Sequence, residues 1–412
     1  MSKKKTALIS LLVIVSVAVT IVVVTSLLTP FFQPRFGLPP EQDEAEKTRI
    51  AINDSSSNQT AATTITPTTI DVVSTTSAFP FVQRWAAQYE NQQLASSGNV
   101  NVYYLADKEI IVAEGGADSG DLTIVGIPAE KRNDSTVYIP VSAQAVAIVY
   151  NIPSFPDIPS GLRLNSTMLS LILNGSITRW DDAAIKDLNP SLNLPDERIV
   201  VVHSGDDDDN NNNSTNTNSS SSISLMLLNQ YLGVQSISWP KNDSIAASGP
   251  AELAELVRKI PYSVGYVDFS YAVQTRMTYA AIGDVDSNYI VPSMQSIGQA
   301  VDIALQFQNS SIDPASSSLS QQLPPAINAS RIVNDSYPIV GLYYASLLAN
   351  DDDDNQKEEE GRRSLATLDF VEWIISESGG QQTLLEVQYP PIYSGNEQLA
   401  TYAKTTIDTM KK

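Results

Sequence analysis

The sequence predicts an α/β fold with mainly parallel sheets, and three observations carry that expectation. Short β-branched apolar runs alternate with helical amphipathic spacing along the chain, the pattern of successive βαβ units. At 412 residues, 42% of them hydrophobic, the chain is long enough for two ordinary domains with cores of their own. The stretch Ala145–His203 shows the alternation in one passage, with strand, capped helix, second helix and strand in succession.

In chain order, Lys3, Lys4 and Lys5 precede Ala7–Leu28, an uncharged apolar run long enough to span the hydrocarbon of a bilayer. The basic end stays inside and the bulk of the chain is expected outside. The run is too long for a typical signal-peptide core and lacks a small-residue cleavage site, so residues 1–30 read as a retained single-pass anchor. Residues 31–71 turn to Glu, Asn, Ser and Thr and bury too little to fold, which makes them a stalk. Asn-x-Ser/Thr sequons, among them Asn53, Asn58, Asn133, Asn165, Asn174, Asn242 and Asn334, fit an exported glycoprotein.

Folding is expected to begin near Val72. Pro80 suits the first turn of a helix capped by Thr76 or Ser77, and Val82, Trp85 and Tyr89 fall on one core-facing side. Val100–Leu105 and Leu122–Gly126 read as strands joined by a short helix, and Ala145–Tyr150 as a buried strand. Ser166 is the expected cap of a helix carrying Leu169, Ile172 and Leu173, which Gly175 ends. Trp180 leads into a helix capped by Asp181 and stopped at Asn189-Pro190, and Ile199–Val202 delivers His203 to a strand end. Ile223, Met226, Leu227 and Tyr231 mark a further helix, as do Met294, Ile297, Val301 and Leu305. Leu368, Val371 and Ile375 mark another, stopped by Gly379-Gly380. Two acidic runs, Asp206–Asp209 with the polar residues to Ser222, and Asp351–Asp354 with Glu358–Glu360, read as solvated loops.

Composition excludes several functions. With 46 acidic against 25 basic residues the formal charge is −21, which argues against nucleic acid as a partner. The chain has no cysteine and one histidine, so it offers no disulfide, thiolate nucleophile or multi-His metal site. No nucleophile–base pair can be named, so no catalytic residue, metal or cofactor is assigned and an enzyme is not expected. The Asp206 run lacks the Gly and Glu of an EF-hand loop.

The words NGSITRWDDAAIKDLNP and IVVVHS, with SAFPFVQRWAAQYE, PYSVGYVDFSYA, SYPIVGLYY and DFVEWIISESGGQ, resemble the phosphate-specific substrate-binding proteins of ABC importers. The resemblance covers Val72 to Ser394. It implies the periplasmic-binding-protein-like fold, two α/β lobes around a cleft, with residues 72–143 and 268–402 forming one lobe and 144–267 the other. It also implies phosphate or another small anion as ligand and an ABC permease as partner.

In such proteins helix N-termini and hydroxyls hold the anion, one Arg supplies charge, and one Asp accepts the proton of hydrogen phosphate. The resemblance carries these roles to particular positions here. Ser77, Ala78 and Phe79 match the first ligand-binding word, with alanine where the family has threonine. Asp107 stands at a helix start where the family has a serine, Pro128 stands where it has the proton-accepting Asp, and Ser204 where it has the Arg. Gly205, Ser220 and Ser222 fall on the last helix-start word. The site is therefore expected to be degenerate. The function that follows is a membrane-anchored extracellular solute-binding protein of the phosphate-transport type with weak or lost phosphate binding. The alternative is a surface interaction or sensor protein that keeps the fold without the ligand.

Overall fold

The computed structural model describes residues 67–96, 100–107, 120–126, 136–153, 155, 161–205, 223–283, 288–308, 335–348 and 357–411. They belong to one compact unit, residues 65–412. The expected membrane span, the stalk up to residue 66, the connection after Asp107, the Asp206–Ser222 run and Asp351–Asp354 lie outside the described residues. No helix among the described residues is long and apolar enough to cross a membrane.

The first strand, β1 (Thr68–Thr75), begins four residues before the expected start at Val72, because its register with β2 (Val100–Asp107) is unbroken from Thr68↔Val100 to Thr75↔Asp107. Helix α1 (Phe79–Ala95) joins them and buries Phe81, Val82, Trp85, Ala86 and Tyr89. Trp85 is a core residue, as its spacing predicts, and its indole N–H donates to the Gly380 carbonyl at 2.8 Å. Strand β3 (Leu122–Val125) is buried throughout and pairs parallel with β1. The expected strand at Ala145–Tyr150 is the second half of β4 (Thr136–Asn151), a single 16-residue strand.

Strand β5 (Arg163–Asn165) leads into α2 (Ser166–Leu173). The cap is Asn165 rather than Ser166: Asn165 keeps extended backbone at the strand end, and its Oδ1 accepts the Met168 N–H at 2.8 Å. Gly175, at φ +74°, follows the helix as expected of a left-handed C-terminal residue. Trp180 is fully buried and donates to the Tyr262 carbonyl at 2.9 Å. Asp182, not Asp181, caps α3 (Ala183–Leu188) by accepting the Ala184 N–H, while Asp181 pairs with Arg179 and Lys186.

After β6 (Val200–Ser204) come α4 (Ile223–Leu232), β7 (Ser244–Ala247), α5 (Pro250–Lys259), β8 (Ser263–Asp268) and α6 (Phe269–Gln274). Then follow β9 (Ala281–Gly283), β10 (Tyr289–Ile290), α7 (Met294–Gln308) and β11 (Val340–Leu348). The chain closes with α8 (Lys357–Ile375), α9 (Gly380–Glu386) and α10 (Glu397–Met410). Glu358–Glu360, expected in a loop, form the first turn of α8, where glutamate suits both helix propensity and the positive end of the dipole.

The main sheet has eight strands in the order β2-β1-β3-β11-β4-β8-β6-β7, and β10-β9-β5 form a small second sheet. The expectation of mainly parallel sheets holds only at the flanks, where β1 pairs parallel with β2 and β3, and β6 with β7 and β8. The centre is antiparallel, through β3–β11, β11–β4 and β4–β8. Hydrophobic periodicity reports the alternation of elements but not their direction, and here long strands cross the molecule without a returning helix. The fold is thus a two-lobed α/β architecture on a mixed sheet, with β4 shared. Its residues 136–145 pair with β11 and residues 146–151 with β8. The expected boundaries at 143/144 and 267/268 fall within β4 and at the last residue of β8. β9 is tied in register to β5, so residues 281–283 lie beside residues 163–165.

Candidate functional site

Strand direction decides where loops gather. Tyr344 lies opposite both Val125 and Pro140, so β3, running with β4, ends just short of residue 141. Val201 is level with Val264, and Val264 with Tyr150, so β6, running the other way, ends near residue 147. The C-terminal ends of β3 and β6 therefore approach each other over the middle of β4. Thr75 and Asp107 share one register row, and Ser74 is level with Ile124, which puts the ends of β1, β2 and β3 on one edge. Carboxyl ends of strands are where α/β sheets build binding sites.

The structure brings several expected residues to that edge. Ala78 is the N-cap of α1 and has no side-chain oxygen to offer, and no side chain caps the helix. Neither Thr76 nor Ser77 takes the cap position, because the Ala78 N–H closes a turn onto the Thr75 carbonyl at 3.0 Å. The Ser77 hydroxyl lies 3.3 Å from that of Thr75, and the Ser77 carbonyl accepts the Tyr389 hydroxyl at 2.6 Å. Phe79 is half-buried, its ring 5.7 Å from that of Tyr104. Asp107 closes β2 at the same edge. Gly126, just past β3, packs so closely on Ile223 that a Cβ there would meet Ile223 Cδ1 at 2.3 Å. The start of α4 therefore lies against the end of β3. Pro128, Ser220 and Ser222 lie outside the described residues.

Ser204 and Gly205 are at the β6 end, but Ser204 is not free to stand in for an arginine. It is buried, its hydroxyl lies 3.0 Å from the Tyr266 hydroxyl, and its N–H donates to that same oxygen at 3.2 Å. His203 stacks on Trp239 with ring centroids 4.5 Å apart and 4° between planes, and its Nδ1 lies 2.8 Å from the Ser204 carbonyl. It is a packing residue at a strand end, as the sequence suggests.

Sequence reasoning missed a buried polar cluster beside the α1 start. Asp268, the last residue of β8, caps α6: its Oδ1 accepts the Ser270 N–H at 2.8 Å. The Tyr343 hydroxyl donates to Asp268 Oδ2 at 3.5 Å and also reaches Ser77. Burial pushes the Asp268 carboxyl up to about 6 against the pull of these hydrogen bonds. Burial first, and Asp268 second, hold the Tyr343 and Tyr389 hydroxyls far above their ordinary range. Both tyrosines come from the C-terminal part of the chain, distant in sequence from Ser77, so no local spacing reveals the cluster.

A shallow surface groove elsewhere is lined by Tyr89, Gln92, Asp369, Glu372 and Trp373. Its two carboxylates are both ion-paired with Lys411, and it gathers none of the residues above. Among the described residues no cluster of His, Cys, Asp and Glu is placed to hold a metal ion.

Comparison with known proteins follows the same outline. The family model for the PBP superfamily domain matches residues 56–378. The phosphate-binding protein PstS of Methanocaldococcus jannaschii is 26% identical over 329 residues, 76% of this chain and 80% of that protein. The phosphate-binding protein PstS of Xylella fastidiosa is 27% identical over 230 residues, 54% of this chain and 59% of that one. Among solved structures, a phosphate-binding protein from Stenotrophomonas maltophilia superposes with a TM-score of 0.51 at 12% identity, covering 83% of this chain and 93% of its own. At that identity the structural likeness speaks for the fold alone.

Proposed function

The chain belongs to the PBP superfamily, and from that premise we propose that it is a solute-binding protein of the phosphate-import type. In this reading it takes up phosphate or another small oxyanion between its lobes and hands it to an ABC permease. The observation that carries the reading is the convergence at one edge of the uncapped α1 N-terminus, the end of β3 and the start of α4. Pro80 has no N–H, and the Ala78, Phe81 and Val82 N–H groups bond the Thr75 and Ala78 carbonyls. The backbone donor that this 17-residue helix offers an anion is therefore the Phe79 N–H, with the positive end of the helix dipole behind it. The extended similarity to PstS proteins supports phosphate as that charge. The role is binding, and no catalytic residue is assigned.

Within this reading the protein is exported and held by residues 1–30 at the membrane, with the stalk and sequons outside. Phosphate is held weakly. Ala78 offers no hydroxyl, and Ser204 offers no charge and spends its hydroxyl on Tyr266. Charge-assisted hydrogen bonds are worth roughly 1.5–3 kcal/mol each, and every 1.4 kcal/mol is about tenfold, so losing two or three removes several powers of ten. Titrating the purified protein with phosphate and, separately, with sulfate tests the reading. Affinity in the millimolar range is expected. An affinity of about 1 μM or tighter contradicts the weak-binding part, and no binding of either anion contradicts the whole.

A further inference from the structure

We infer that Gln144 is a ligand-contacting residue, its side-chain amide both donating to and accepting from a bound oxyanion that carries a proton, such as hydrogen phosphate. This rests on the phosphate-binding reading above and adds a contact to it. Gln144 is only 1% exposed, yet neither its Nε2 nor its Oε1 has a hydrogen-bond partner among the described residues. A buried amide with both ends unpartnered is costly and rare enough in folded proteins to require a cause. A partner that is not part of the protein is one such cause.

Its position says which partner. Gln144 lies in the stretch of β4 toward which the ends of β3 and β6 converge, opposite Gly341, which contributes no side chain to the neighbouring space. On the same strand Ser142 lies opposite Tyr343 and Val146 opposite Asp268. Residues two apart in a strand share a face, so Gln144 projects on the face that carries Tyr343 and Asp268. Those two side chains meet at 3.5 Å across β4, and Tyr343 reaches on to Ser77 beside the α1 N-terminus. The amide thus stands on the floor of the polar cluster, beside the α1 start, which no side chain caps.

The chemistry of the spot is selective. An oxyanion without a proton meets only repulsion from Asp268. One that carries a proton can donate it to the Gln144 carbonyl or the Asp268 carboxylate while its other oxygens accept from Gln144 Nε2 and from the Phe79 backbone N–H at the α1 start. A neutral amide therefore supplies both a donor and an acceptor where Ser204 and Pro128 offer neither an arginine nor a carboxylate.

The test is a titration of inorganic phosphate into the full-length protein and into its Gln144→Met variant, followed by phosphorus-31 NMR relaxation, which reads millimolar binding. Methionine keeps the length of the side chain and removes the amide. The expected result is a dissociation constant raised about tenfold or more, with a ligand-free melting temperature equal to or above that of the parent. Unchanged phosphate affinity in a folded Gln144→Met protein overturns the inference and leaves the phosphate reading standing. Absence of phosphate binding by the parent overturns that reading and the inference with it. Gln144→Glu keeps shape and acceptor and loses the donor, so it serves if the methionine variant does not fold. Phosphate affinity in Gln144→Glu equal to the parent's also overturns the inference.

Discussion

Asp268 shows how one residue couples the candidate site to stability. Its folded carboxyl holds a proton up to about pH 6 because burial disfavours the charge, whereas an unfolded aspartate releases it near pH 4. Between those values the folded state binds more protons than the unfolded state, so stability falls as pH rises through the window. The effect is on the order of 3 kcal/mol once the group is ionised. Asp268→Asn keeps an oxygen to accept the Ser270 N–H and removes the titration. Chemical denaturation at stepped pH should show a flatter profile between about pH 4 and 6, and a more stable variant above it. A variant that keeps the parent's slope would place the titration elsewhere.

At the scale of elements, α2 illustrates how a short helix is bounded. Asn165 closes β5 and caps α2, and Gly175 ends the turn after it, where an added Cβ would also press on Pro240 at 2.9 Å. Removing the cap in Asn165→Ala should lower stability by about 1 kcal/mol, within the 0.5–2 kcal/mol range of such caps. Gly175→Ala should cost at least as much, since it adds left-handed strain to a steric contact. Urea denaturation midpoints of the two variants check both. An unchanged midpoint for Asn165→Ala would mean that the Met168 N–H finds water as readily as the side chain. The capping signals were legible within a residue or two. The difference between Asn165 and Ser166 was not, because it depends on where extended backbone gives way to helix.

At the scale of the whole molecule, the charge asymmetry of the N-terminus predicts topology. In the proposed anchored form, Lys3–Lys5 before an uncharged apolar run favour the orientation with the remainder of the chain outside. Protease added to intact cells should release a fragment that begins between Pro39 and Thr69. A protein protected until lysis would reverse the orientation. The lobes meet along β4, whose residues pair on β11 up to Ala145 and on β8 from Val146. In the proposed solute-binding role, closure of the lobes would act on this shared strand.

The sequence by itself determined the α/β class, the apolar faces of α1, α2 and α8, and the family, because all of these are written in local spacing and short contiguous words. On α4 it missed Leu225 and Leu228, which are buried where Met226 and Tyr231 are only half-buried. The assignment of Ala78, Pro128 and Ser204 as changed ligand positions is an expectation that rests on resemblance alone. Only the tertiary structure decided that the sheet is mixed, that Ser204 is committed to Tyr266, and that Asp268, Tyr343 and Gln144 share one face beside the α1 start. These facts depend on strand direction and register between segments as far apart as Ser77 and Tyr389. A strand's own residues specify which of them point inward. They do not specify the partner, and the chemistry of a buried polar group is set by its partner or by the lack of one.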